Sequence, residues 1–334
     1  MILSAGIRPG GAPHVAREQK PIAARVLYVG GSGRSGSTLL DRLIGHAQGF
    51  CSVGEVVHLW RRGVVGNELC GCGAAFSECA FWQEVGARAF GGWDAVDASE
   101  VLNLDAAVNR HRFIPLMKTR RVRLSYHRKL EAYRDILGRL YRGIHHAGNG
   151  AVIVDSSKSL PYAFVLAATP GLDVRLIHLV RDSRGVSHSW TRRVLRPEVL
   201  GARSYMPRYR PARAALEWTI DNLLMHVLAS RGTPYHFVRY ETFAANPRWS
   251  LREILAFGRR EPVEDPDLAF VGPDHAVLGT THSVAGNPIR FQRGTIHVHA
   301  DERWRERMPV PDRLVVSLLT LPLLRRYGYS LFPR

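Results

Sequence analysis

The chain has 334 residues, 46% of them hydrophobic, enough for a sizeable buried core and too much for a disordered protein. Its four cysteines are too few for a disulfide scaffold, which agrees with a reducing compartment. A net charge of +17 favours anionic partners, but charge alone does not choose among nucleotides, acidic sugars, nucleic acid and lipid surfaces.

Residues 1–22 carry Gly-Gly and three prolines without a continuous apolar core, so a loose tail is expected there, not a signal peptide. An apolar strand, Arg25 to Val29, then runs into a glycine-rich turn and a helix over Thr38 to Ala47. Gly31-x4-Gly36-Ser37-Thr38 has phosphate-loop spacing, but Ser37 stands where a nucleoside triphosphatase needs lysine. The only cation in the turn is Arg34. Backbone N–H groups and the helix dipole still make such a turn an anion cradle.

After the helix and a strand-like exit comes Glu55, with His58 one turn on. Cys70-Gly-Cys72-x6-Cys79 follows, with Cys51 upstream. A zinc site drawing on all four thiols is the minor reading, because Cys-x-Cys is not the usual knuckle spacing and Cys51 is distant. Buried or loop thiols, or a bridge involving Cys79, are expected instead, and no metal. Arg110-His-Arg112 and the run from Lys118 to Lys129 read as a solvated helix face, or alternatively as a cationic wall towards an acidic acceptor.

Further strands are expected at Ala151 to Val154, Val174 to Val180 and Tyr235 to Val238, with helices at Leu124 to His146, Leu160 to Ala168, Ser183 to Arg193, Ala212 to Ala229 and Pro311 to Arg326. Alternating strands and helices mean a three-layer α/β/α fold with a central parallel sheet. A single domain over 23–334, with helical and loop insertions at about 61–150 and 194–211, fits the absence of repeats and long linkers. On the helix over Ala212 to Ala229, Leu216, Ile220, Leu223, Leu224, Val227 and Leu228 form one stripe, expected to face the core. The apolar run Leu314 to Leu324 is broken by Ser317, Thr320 and Pro322 and is too short to span a bilayer, so a soluble, cytoplasmic protein is expected.

Two further constellations sit at strand ends. Asp155-Ser-Ser-Lys158 follows one strand, with Asp155 in the manner of a Walker B aspartate and Ser156 or Ser157 as cap of the next helix. Arg181 leaves another, and Ser189 lies about two helical turns beyond it, so both could reach one phosphate. Ligands of open α/β sheets bind beyond the carboxyl ends of the strands, which puts Arg34 and Arg181 in one crevice.

On these motifs the sequence resembles the sulfotransferases that use 3′-phosphoadenosine 5′-phosphosulfate (PAPS), whose fold is P-loop-nucleotidase-like. Gly33-Arg34-Ser35-Gly36-Ser37-Thr38 is similar to their 5′-phosphosulfate loop, and Arg181 with Ser189 to their 3′-phosphate pair. The segment from Val238 to Pro247 resembles the turn whose tyrosine, here Tyr240, meets adenine. His282 to Phe291, with Gly286 and Arg290, resembles the late loop that closes over the nucleotide, in a version typical of bacterial members. The likeness runs from about 24 to 308. It departs at Leu39, where animal relatives place an adenine-stacking tryptophan, so adenine needs another contact.

The resemblance implies sulfonate transfer to a hydroxyl acceptor by in-line displacement, leaving adenosine 3′,5′-bisphosphate. Arg34 would meet the leaving phosphate, Lys158 the transferred sulfonate, and Glu55 would be the general base, with burial raising its pKa towards the working range. His58 is a second candidate base, and a plain helix-start carboxylate is the structural alternative for Glu55. No metal is required for this chemistry. Asp301 and Trp304 are expected to anchor the late loop. Two rival readings are a P-loop kinase or nucleoside triphosphatase, disfavoured by Ser37, and a non-catalytic nucleic-acid or membrane binder. The latter explains the charge but not the ordered loops, so no nucleic-acid partner is expected, while peripheral membrane contact stays open. Acceptor identity and oligomeric state are not readable, and specificity is expected in 61–130 and 194–211.

Overall fold

The computed structural model describes residues 24–118, 124–199, 201 and 203–331. The expected tail, and residues 119–123 of the basic run, lie outside them. In chain order the elements are β1 (Ala24–Gly30), α1 (Ser37–His46), β2 (Phe50–Gly54), α2 (Ala80–Phe90), α3 (Ala98–Val108), α4 (Leu124–Ala147), β3 (Val152–Asp155), α5 (Leu160–Ala167), β4 (Leu172–Val180) and α6 (Ser183–Thr191). There follow β5 (Leu195–Arg196), β6 (Ser204–Tyr205), α7 (Pro211–Ser230), β7 (Tyr235–Arg239), α8 (Tyr240–Ala245), α9 (Pro247–Arg259), β8 (His275–Leu278), β9 (Gly294–His297), α10 (Trp304–Arg307) and α11 (Val310–Arg326).

Five strands form one all-parallel sheet in the order β2-β3-β1-β4-β7. Val26 in β1 pairs with Ile153 on one side and Val174 on the other. Successive residues of β1 feed opposite cores. Val26 and Tyr28 pack with the layer of α2, α4, α5 and α7, whereas Leu27 and Val29 pack with α1 and α9. Burial of both faces explains why this central strand reads as a continuous apolar run. The three-layer α/β/α arrangement inferred from the sequence is therefore present. The strand-like exit after α1 is the edge strand β2, whose Ser52 hydroxyl bonds the buried Asp41 carboxylate at 2.5 Å.

The segment 61–150 is largely helical. Trp82, Val85 and Phe90 of α2 and Val101 and Val108 of α3 join Leu130, Tyr133 and Leu137 of α4 in one core. Arg128 and Lys129 of α4 are exposed, as a solvated face requires.

The apolar stripe on α7 departs in part from expectation: Leu228 is buried and Leu224 packs against the core as expected, but the other four residues do not. Leu216, Ile220, Leu223 and Val227 are exposed, and the buried face is built from Ala214, Ala215, Trp218, Asn222, Met225 and Leu228. The two rows differ by two residues, a turn of about 200°. The inward row contains a polar residue, because Asn222 Oδ1 meets His178 Nε2 at 2.7 Å beneath the sheet. Among the described residues no helix is long and apolar enough to cross a membrane.

Candidate functional site

Every strand of the sheet ends at one of the residues singled out from the sequence. Across the sheet these are Glu55 after β2, Lys158 after β3, the glycine turn after β1, Arg181 after β4 and Tyr240 after β7. Five strands at the usual spacing span about 19 Å, the scale of an extended nucleotide. Carboxyl ends of parallel strands are where such folds bind ligands.

The glycine turn sits at the centre of this row. Gly36, the N-cap residue of α1, has φ 89°, and a Cβ there would come within 2.6 Å of the Tyr240 ring, so only glycine serves. Gly33 packs equally tightly on Trp190, whose ring lies 5.0 Å from the Arg34 guanidinium. Arg34 is half-buried, and its Nε and Nη2 have no hydrogen-bond partner among the described residues. Burial pushes this guanidinium down from its ordinary value, partly offset by the Glu55 carboxylate. The Ser35 hydroxyl is likewise buried without a partner among the described residues. A cation and a hydroxyl stripped of water and left unpaired beside the N-terminus of α1 are groups that an anion would satisfy. Ser37 and Thr38 are buried in the first turn of α1.

Arg181 is buried at the head of α6, where Nη1 donates to the Arg34 carbonyl at 3.1 Å and the guanidinium lies 4.8 Å from the Tyr240 ring. Tyr240 and Arg181 thus lean on the same turn as Gly36 and Arg34. The Asp301 carboxylate stands 3.8 Å from both Arg181 and Arg192, while bonding Arg303 at 2.7 Å; Arg303 first, and then Arg181, hold it well below the usual carboxylate range despite burial. Trp304 is buried beneath Arg184 at 4.6 Å. Both residues therefore anchor the chain that follows the hairpin of β8 and β9. Ser189 sits half-buried on α6 between Arg181 and Arg192.

At the other end of the row, Lys158 Nζ donates to Glu55 Oε1 at 2.7 Å and to the Ser156 carbonyl at 2.6 Å. His58 Nε2 lies 3.5 Å from Glu55 Oε2. Burial alone would raise the Glu55 carboxyl, but Lys158, His58 and Arg62 together hold it below its ordinary value. This corrects the expectation of a raised pKa: desolvation is the largest single effect, but Lys158 and its neighbours together outweigh it. Partial burial, helped by Arg62, Lys158 and Arg196, pushes the His58 imidazole down to about 4 despite Glu55. Lys158 precedes α5 in a left-handed conformation (φ 62°), a strained backbone that aims its side chain at Glu55.

Neither Ser156 nor Ser157 caps α5. Ser159 holds the N-cap position, and Ser157 Oγ instead accepts from Val57 N at 3.0 Å and donates to Asp155 Oδ1 at 2.5 Å. Asp155 is fully buried, its other oxygen taken by the Tyr141 hydroxyl, and burial pushes it up to about 6. Both its oxygens are thus occupied internally, unlike a Walker B carboxylate facing magnesium.

The late loop between β8 and β9 closes over this end. Arg42 of α1, itself buried, donates to the carbonyls of Ile289 and Gly279 at 2.8 and 3.1 Å. Val284 N bonds the Val53 carbonyl at 3.0 Å, and Asn287 N reaches Thr38 Oγ1 at 3.3 Å. Gly54 has φ 73° and admits the Ala285 carbonyl where a Cβ would come within 2.7 Å, so the loop lies directly on the residue before Glu55. Gly286 faces Thr38 and Glu55. Arg290 is buried and donates from Nη1 and Nη2 to the carbonyls of Ser283 and Leu69, which ties the loop to the 61–150 segment, while its Nε has no partner among the described residues.

The segments 61–150 and 194–211 meet beside Glu55. Leu69 N bonds the Glu198 carbonyl at 3.1 Å, and Arg196 pairs with Glu68 at 2.6 Å and Glu198 at 3.0 Å. The π-helical stretch Leu59–Val65 carries Arg62 towards both Glu198 and Glu55. Trp190, Arg192 and Arg62 were not singled out from the sequence. Arg192 had a signal, standing three residues after Ser189, whereas Trp190 and Arg62 are recognisable only from their contacts.

No family model and no curated protein matches the chain. Solved structures do. The sulfotransferase domain from the curacin biosynthetic pathway aligns at 18% identity over 92% of this chain and 98% of that one, with a TM-score of 0.49. Sulfotransferase STF9 from Mycobacterium avium aligns at 14% identity over 94% and 79%, with a TM-score of 0.46. The solved structures named so far are sulfotransferases. A retinol dehydratase, solved in complex with androsterone and inactive cofactor PAP, aligns at 12% identity over 94% and 84%, with a TM-score of 0.37. At these scores no site assignment rests on the likenesses.

Proposed function

We propose that this chain is a sulfotransferase that moves the sulfonate of PAPS to a hydroxyl acceptor, as one domain with two insertions. The observation that carries the reading is the Arg34 guanidinium, half-buried and without a partner for Nε and Nη2 among the described residues, inside a turn that resembles the family's 5′-phosphosulfate loop. Gly33, Ser35, Gly36, Ser37 and Thr38 would cradle the 5′ end with main-chain N–H groups and hydroxyls. Arg181 and Ser189, assisted by Arg192, would hold the 3′-phosphate, and Tyr240 would face the base from its place beside Gly36. Gly286 would close the cradle over Thr38, and Arg290 serves that role through the loop it anchors.

In this reading the donor lies along the carboxyl edge, its sulfonate between β1 and β2. Glu55 then takes the acceptor proton on a carboxylate oxygen. Its depressed pKa keeps it ionised and ready, yet makes it a weak base while Lys158 is bound to it. An incoming sulfonate competes for the Lys158 ammonium, and each step of Lys158 away from Glu55 raises the carboxylate's basicity as negative charge arrives on the donor oxygens. The wall where Arg62, Glu68, Arg196 and Glu198 meet is the natural acceptor side, which fits specificity residing in the two insertions.

Calorimetric titration with adenosine 3′,5′-bisphosphate tests the reading. Saturable binding that magnesium does not alter is expected, with weak binding of ATP. Absence of binding by the bisphosphate, or magnesium-dependent ATP turnover, would overturn it.

A further inference from the structure

Three of the four cysteines converge with one histidine from a distant segment. Cys79 Sγ lies 3.6 Å from Cys70 Sγ, 3.8 Å from Cys72 Sγ and 3.3 Å from His282 Nδ1, and Cys70 Sγ lies 4.0 Å from the same nitrogen. All four ligand atoms fall within 4.8 Å of one another. A tetrahedral zinc with ordinary bond lengths separates two sulfurs by about 3.8 Å and a sulfur from a nitrogen by about 3.5 Å. The observed separations are those of a cage around one ion.

The surroundings are also those of a thiolate site. Cys70 and Cys72 lie in a tight turn closed by Cys70 N to Ala74 O at 2.9 Å and Gly73 N to Cys70 O at 2.8 Å. The backbone N–H of Cys72 turns to the Cys70 sulfur and that of Trp82 to the Cys79 sulfur. Cys79 stands at the N-cap of α2, where the helix dipole favours a negative sulfur. The His282 ring is fixed by stacking on Phe81, with centroids 4.8 Å apart and planes 13° from parallel, and its carbonyl accepts from Trp82 Nε1 at 2.9 Å. A disulfide would use two of these groups and leave a thiol and an imidazole idle. Cys51 lies apart against Gly148, so it takes no part in the cluster.

We propose that Cys70, Cys72, Cys79 and His282 bind one structural zinc ion. The sequence pointed away from this because it offered Cys51 as the fourth ligand, and the true partner stands some two hundred residues downstream. The ion would fasten the late loop to the 61–150 segment. Gly71 N already bonds the Ser283 carbonyl at 2.9 Å, and within four residues of His282 the loop reaches Val53, Glu55 and Thr38. The zinc is four-coordinate and closed, so it orders the site without entering the chemistry. The assignment does not depend on the proposed activity.

Elemental analysis of the full chain, purified under reducing conditions without chelator, tests it. About one zinc per chain is expected, lost in Cys72→Ser and His282→Ala and kept in Cys51→Ser. Adding cobalt to zinc-depleted wild-type chain should give the intense visible bands of tetrahedral cobalt with thiolate charge transfer. Less than about a tenth of an equivalent of zinc, with no tetrahedral cobalt spectrum, would overturn the assignment. So would two free thiols instead of four in the unfolded, unreduced chain, or metal lost in Cys51→Ser but kept in Cys72→Ser.

Discussion

Lys158 Nζ and Glu55 Oε1 stand 2.7 Å apart at the ends of two neighbouring parallel strands, both largely buried. The pair sets the charge of one end of the site, and the acid–base behaviour there follows from it. Removing the lysine leaves a desolvated carboxylate, and in Lys158→Met the Glu55 pKa should rise. Wild-type activity should therefore persist as pH falls until the buried carboxylate protonates, below its ordinary 4.5. In Lys158→Met the acid limb of kcat/KM should move to higher pH. An unmoved limb would show that Glu55 is not the titrating base.

Glu55→Gln keeps the shape and one hydrogen bond to Lys158 but cannot take a proton. Turnover should fall by about 10²–10⁴, the usual worth of a positioned base, while affinity for adenosine 3′,5′-bisphosphate stays close to wild type. Full turnover in this variant would pass the role to His58, which sits 3.5 Å from the same carboxylate.

Arg34→Ala and Arg181→Ala should each weaken binding of the bisphosphate, by about 10- to 100-fold for a charge-assisted contact. The two should differ in reach. Arg181 also holds the Arg34 carbonyl at 3.1 Å, so its loss loosens the glycine turn, whereas Nε and Nη2 of Arg34 have no partner among the described residues. Competition assays with adenosine 5′-phosphate, which lacks the 3′ group, separate them: Arg34→Ala should weaken this ligand too, and Arg181→Ala much less.

How far the sequence carried this picture depends on where each residue's partner lies. The strands β1, β3, β4 and β7 were legible because each is a short apolar run, and the residues just beyond them were legible because glycine, arginine and lysine at a strand end have few other uses. The sign of the Glu55 shift was not legible, since it depends on Lys158, one hundred residues away and reached through a left-handed backbone. Trp190 under Arg34 and His282 beside the cysteines were hidden for the same reason. Most of the α7 stripe misled because Asn222 faces inward to bond His178, so the polar residue marks the core, with Leu228, while Leu216, Ile220, Leu223 and Val227 lie on the surface.

Gly36→Ala tests the turn without removing any charge. The new Cβ meets the Tyr240 ring at 2.6 Å, and the backbone is left-handed at φ 89°. Stability should drop by about 1–3 kcal/mol in chemical denaturation, and bisphosphate affinity should fall with it, because the N–H groups of the turn are re-aimed. A variant as stable and as tight as wild type would mean that Tyr240 and the turn are not in register.

Asp41 offers a pH effect away from the ligand. It is fully buried on α1, with Oδ2 bonded to Ser52 Oγ at 2.5 Å and Oδ1 without a partner among the described residues. Burial raises its carboxyl from 3.8 to about 7, only partly offset by the Ser52 hydrogen bond. The folded chain therefore holds this proton more tightly than the unfolded chain, so the contribution of the neutral acid is complete below pH 3.8 and is lost as pH rises towards 7. Above that the carboxylate is ionised in both states and the cost, on the order of 2–4 kcal/mol, no longer changes. Asp41→Asn keeps an acceptor for Ser52 and removes the charge. It should be more stable than wild type at pH 8 and about equal at pH 4, with the gap opening between the two. Denaturation midpoints across that range decide the matter, and a constant difference at every pH would show that Asp41 does not titrate on unfolding.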